Sequence, residues 1–170
     1  MDIKYEHTKF LMQRFDQYYN NVNNKGIFYI SLNTFILTGI TVGYTSLHSK
    51  VEPSFWLYFF LITSLICCLA STLFTILSIH PHSKDNHADD EKSSLIYFGG
   101  IAKHKLPFYK EKFHDQTEEN IIDGMLQQVH CLAHGLHSKY FNLKIAGYIL
   151  FAQLGIILPL LFFSVKNFIK

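Results

Sequence analysis

The chain has 170 residues, of which 49% are apolar and 16% aromatic, and its formal net charge is only +2. That length leaves room for one compact unit. The apolar content excludes a disordered chain and an ordinary soluble one, and the small charge does not call for nucleic acid or a strongly acidic partner.

The first 26 residues are polar. They contain no apolar core followed by a small-residue cleavage site, so they are not read as a secretory signal. Tyr5, Phe10, Leu11, Phe15, Tyr18, Tyr19 and Val22 fall at helical spacing. This predicts an amphipathic helix running toward the first apolar segment, with Asn23–Gly26 as the place where it would break. Its apolar face needs a partner.

Three segments are long and apolar enough to cross a hydrocarbon core, which takes about 20 residues. They are 27–47, 55–79 and roughly 145–165, and none contains Asp, Glu, Lys or Arg. The connector HSKVEPS is short and makes the first two a helical hairpin. Lysine and arginine choose the orientation. Twelve of them lie in the N-terminal arm and the insert between spans two and three, against Lys50, Lys166 and Lys170 on the other side. The arm and the insert are therefore expected in the cytoplasm.

Span one carries Ser31, Thr34, Thr38, Thr41 and Thr45 on one helical face, and span two carries Ser64, Cys67, Ser71, Thr75 and Ser78 on another. Small polar residues in a membrane either pack helices closely or line a wet path. Packing within the hairpin is the plainer reading. A pore lined by the span-one residues is the sharper one, and it would need several copies. In span three, Gln153 should face protein rather than lipid, and Pro159 can kink the helix.

His80–Pro81 should stop the second span. The charged stretch that follows reads as a linker. Next comes LIYFGGIAK, where Gly99 and Gly100 precede Lys103 and Lys105. Glycines beside cations can cradle a phosphate, but there is no P-loop pattern, so a structural turn is the first reading and a signal or partner contact the second. Leu106 and Pro107 open a short helix, and Thr117 is a natural N-cap for a long amphipathic one. That helix is expected to run unbroken into span three. Its apolar face suits the N-terminal arm.

His130, His134 and His137 lie on this helix with Cys131 beside them. Two histidines four residues apart can share a metal. No acidic ligand accompanies them, so a solvated or packing face is preferred and no metal site is assigned. The three cysteines, Cys67, Cys68 and Cys131, give no readable disulfide framework. No nucleophile elbow, P-loop, paired carboxylates or zinc-type cysteine spacing is present, so no catalytic residue and no cofactor are assigned.

The expected class is an all-α membrane protein with three transmembrane helices. The parts are an amphipathic cytoplasmic helix (1–26), a transmembrane hairpin (27–80), a charged linker (81–93), a cytoplasmic helical insert (94–142) continuous with the last span, and the third span with a short tail (143–170).

The order of these parts carries a resemblance. A second span ends SIHP, LIYFGGIAK follows, and QQVHCLAHGLHSKYFNLKIAGY feeds the last span. Tyr97–Ile101, Gln128–Val129, Leu132, Leu136 and Lys139–Tyr140 match an aromatic-glycine element and a glutamine-to-Lys-Tyr helix. The chain thus resembles the Pycsar effector domain of bacterial anti-phage defence, a group of small membrane effectors that includes the Hailong type. His80 stands where that family often has arginine. The resemblance implies an effector of the bacterial inner membrane that acts as a homo-oligomer. It would respond to a cognate nucleotidyltransferase or cyclase, through its product (a cyclic nucleotide or oligonucleotide) or through the enzyme itself, and would then impair the membrane of the infected cell. A non-conducting adaptor anchoring a cytoplasmic partner is the alternative.

Overall fold

The computed structural model describes residues 3–47, 54–80 and 95–168, and 93% of these are helical with no strand among them. The five helices in chain order are α1 (Ile3–Leu47), α2 (Phe55–Ile79), α3 (Phe98–Lys103), α4 (Leu106–His114) and α5 (Glu118–Phe168). Three of them, α1, α2 and α5, are long and apolar enough to cross a membrane. The fold is the expected all-α membrane protein. The expected linker 81–93 and most of the hairpin connector lie outside the described residues.

The chain divides into two units. One comprises residues 1–20 and 81–137, the other 21–80 and 138–170. Helices α1 and α5 each contribute to both.

In the first unit, Tyr19 of α1 donates a hydrogen bond to the Leu132 carbonyl of α5 at 3.0 Å. The arm therefore finds its partner on the insert helix. Ile122, Met125 and Leu136 are buried here, as the amphipathic spacing requires. Thr117 caps α5 by accepting from the Asn120 amide at 3.3 Å. Pro107 sits in the first turn of α4, where its missing N–H costs nothing. Helix α4 buries none of its residues. Gly99 and Gly100 do not make a turn. They lie within α3, with Gly100 buried.

The second unit holds the membrane-crossing parts of α1, α2 and α5. Its polarity is inverted relative to a soluble bundle. Asn33, Ser64, Ser71, Thr75, Ser78 and Gln153 are buried, while Phe35, Ile66, Leu69, Leu73, Phe151 and Leu158 face outward. Lipid tails are as apolar as leucine, so small and polar groups hold such a bundle together from inside. Aromatic rings gather at the α2 start, where Trp56 stacks on Phe60 and Phe60 on Phe163 of α5, with centroids 6.3 and 5.8 Å apart. Rings of this kind mark a membrane–water boundary.

The expected break at Asn23–Gly26 is absent, since α1 runs through it without interruption. A Cβ on Gly26 would come within 2.6 Å of the Ile79 side chain. Glycine here serves the close approach of α2 to α1 rather than a bend.

Candidate functional site

Helix α2 ends at Ile79; the His80 amide donates to the Ile76 carbonyl, and the carbonyls beyond it need a donor from outside the helix. Lys139 of α5 supplies one. Its ammonium donates to the carbonyls of Ser78, Ile79 and His80 at 2.7, 2.8 and 3.0 Å. In return the Ser78 hydroxyl donates to the Lys139 carbonyl at 2.9 Å. Only 6% of Lys139 is exposed, and burial pushes its ammonium below the ordinary lysine value. A cation at a helix C-terminus also meets the negative end of the helix dipole. The result is a two-way clamp between α2 and α5.

One level deeper, Ser71 accepts a hydrogen bond from Asn33 Nδ2 at 3.0 Å and donates to the Ala146 carbonyl at 3.1 Å. A single hydroxyl thus joins all three helices of the unit. Cys68 Sγ donates to the Asn33 carbonyl at 3.5 Å. Nearby, a Cβ on Gly147 would lie 3.0 Å from Tyr29 Oη, so α1 and α5 approach closely at this level too.

These bonds fix a register. Ser78 is level with Lys139 and Ser71 with Ala146, so seven residues back along α2 match seven forward along α5. Seven residues are about two helical turns, and the two helices are antiparallel. The next step puts Ser64 level with Gln153. Both are fully buried, and Ser64 Oγ, Gln153 Oε1 and Gln153 Nε2 have no hydrogen-bond partner.

The candidate residues read from the sequence are distributed differently. Ser31, Thr34, Thr38, Thr41 and Thr45 are all exposed on α1. The hydroxyls of Thr34, Thr41 and Thr45 donate to the carbonyls of Ile30, Leu37 and Val42 in their own helix. The span-two stripe, by contrast, is turned inward at Ser64, Ser71, Thr75 and Ser78. Gly99, Gly100 and Lys103 lie on α3, and Lys105 holds the N-cap position of α4 without a side-chain capping bond. The threonine face and the Gly-Lys segment belong to different units. His130 and His134 bring their rings to 4.6 Å between centroids. Among the described residues no group of three or more His, Cys, Asp or Glu could hold a metal ion.

The clamp residues were not singled out by sequence reasoning. In the sequence Lys139 stands out only as a positive charge and as part of a Lys-Tyr pair, and Asn33 does not stand out. The signal that could have found them is the spacing of seven. Ser64, Ser71 and Ser78 repeat at that interval on one helix, and Lys139, Ala146 and Gln153 repeat at it on another.

The family model for the Pycsar effector protein domain matches residues 7–166. No curated protein and no solved structure matches the chain. The match spans the amphipathic arm, all three spans and the insert, and it takes in both halves of the Lys139 clamp. That family groups effectors and is not a known catalytic one. The chain belongs to the Pycsar effector domain family, and it is a multi-pass membrane effector of anti-phage defence.

Proposed function

We propose that this effector assembles into a homo-oligomer in the bacterial inner membrane and opens a pore when a nucleotide-derived signal, or the nucleotidyltransferase or cyclase that makes it, releases the resting state. The arm and the insert lie in the cytoplasm, where the lysine and arginine count directs them. Gly99, Gly100, Lys103 and Lys105 are the candidates for meeting the signal or its enzyme.

The observation that carries this reading is the contrast between the two polar stripes. The span-two stripe is used up inside the unit, while Ser31, Thr34, Thr38, Thr41 and Thr45 are left on the outside of α1. A polar stripe left over by the packing of one copy is available to line a path between several. Release requires that the signal favour the open state over the closed one. The Lys139 clamp is where α5 is fastened to the end of α2, so a shift of α5 would be felt there.

The test is a potential-sensitive dye in cells expressing the chain at graded levels together with its active cognate nucleotidyltransferase or cyclase. Leucine at Thr34, Thr38 and Thr41 together should abolish the collapse of membrane potential that the unaltered chain causes. An inserted, stable triple variant that still collapses the potential would remove the pore-face assignment. The alternative is a non-conducting adaptor for a cytoplasmic partner, which keeps the same face in lipid. The internal bonds of Thr34, Thr41 and Thr45 make that tolerable. It predicts that the potential survives at every expression level.

A further inference from the structure

Two levels of the α2–α5 seam are bonded across it, with only Asn33 Oδ1 left over at the second, and the third is not bonded at all. At the first, Lys139 and Ser78 exchange hydrogen bonds, and at the second Ser71 links Asn33 to Ala146. At the third, Ser64 and Gln153 are brought level by the register, both at 0% exposure, and neither finds a partner. An amide can donate two hydrogen bonds and accept two. In a membrane interior there is no water to take them, and each group left unbonded raises the free energy of the packed state. The outward residues of α2 and α5 nearest this level, Ile62, Ile66, Phe151 and Leu154, are apolar, so the amide is not positioned to reach a lipid headgroup.

We propose that the Ser64–Gln153 level is a built-in weak layer of the membrane unit, dry while the three helices are packed and hydrated once the effector is active. The unbonded amide raises the resting state and leaves any arrangement that lets water reach Gln153 untouched by that penalty. The layer therefore lowers the threshold for release, while the two bonded levels toward the Lys139 end keep the helices in register. The link to activity rests on the pore reading above. The weakness of the layer does not.

The test uses the full chain with Gln153→Met, which nearly keeps the volume of the side chain and removes its polar atoms, and with Ser64→Ala. Leu150→Met, a buried apolar position on the same helix, is the control. Replacing an unbonded polar group with an apolar one of similar shape should stabilise the packed state. Gln153→Met should raise the thermal unfolding midpoint in detergent, and Ser64→Ala should move it the same way by less. In cells, the expression level needed to collapse the membrane potential should rise about tenfold for Gln153→Met. Leu150→Met should change neither. An unchanged or lowered midpoint for Gln153→Met would show the amide to be satisfied at rest and overturn the proposal. A raised midpoint with an unshifted threshold would overturn its link to activation. If the unaltered chain never collapses the potential, the pore reading fails by itself, and the midpoint still decides whether the layer is weak.

Discussion

Replacing Lys139 with methionine keeps most of the length of the side chain and deletes the ammonium. Three carbonyls at the end of α2 then lose their donor. A hydrogen bond to a charged group is worth about 1.5–3 kcal/mol. The three here share one ammonium, and the desolvation that lowers the Lys139 pKa is regained when the charge is removed. The bonds outweigh that gain, because the orphaned Ser78 carbonyl is buried and those of Ile79 and His80 are partly so. A net loss of about 2 kcal/mol follows. For a chain of this size that lowers the unfolding midpoint by about 4–8 °C. Circular dichroism of the purified protein in detergent would measure it. Lys139→Arg keeps the charge, but its flat fork of donors cannot converge on three carbonyls, so it should recover only part of the loss. In cells, Lys139→Met should lower the expression level needed to collapse the membrane potential. A midpoint for Lys139→Met within about a degree of the unaltered chain would refute the clamp as a source of stability.

Tyr19→Phe removes the bond to the Leu132 carbonyl and should cost about 1 kcal/mol, seen as roughly fivefold faster amide exchange over residues 3–20. Unchanged exchange would show the arm to be held by its apolar contacts alone. Burial also holds the Tyr19 phenol above its ordinary value of 10.0. The contact is therefore complete below pH 10 and is lost as pH rises through that raised value. Titration by tyrosinate absorbance should lose a high-pH component in Tyr19→Phe, and an identical titration would contradict the assignment. Ser71→Ala breaks the junction of Asn33, Ser71 and Ala146. Hydrogen bonds between membrane helices average about 0.6 kcal/mol, so it should lower the midpoint by less than Lys139→Met does. A larger fall would mean the register is anchored at Ser71 rather than at Lys139.

The spans could be read from sequence because length and freedom from charge are one-dimensional properties. The same holds for the Thr117 cap and for the run of α5 into span three. Partner choice is not one-dimensional. The serines of span two and the threonines of span one look alike as stripes, yet one set is buried and the other exposed. Asn33 decides much of this, because its amide gives Ser71 a partner on α1. Gly26 and Gly99–Gly100 suggest conformational freedom in the sequence, yet all three are helical. At Gly26 the missing Cβ matters for space, and the residue it makes room for is 53 positions away. The role of Lys139 was hidden for a similar reason, since the carbonyls it meets are about 60 residues back along the chain.

The inverted polarity of the membrane unit separates hydrophobicity from importance. Leu69, Leu73, Phe151 and Leu158 stand on the outside, where any residue of similar solubility in lipid serves as well. The serines facing the seam are small and only mildly polar, yet each sits where a larger side chain would push two helices apart. Replacements that keep solubility in lipid, whatever their shape, should therefore be tolerated on the outer surface. A single added methyl group at Ser71 or Ser78 should not.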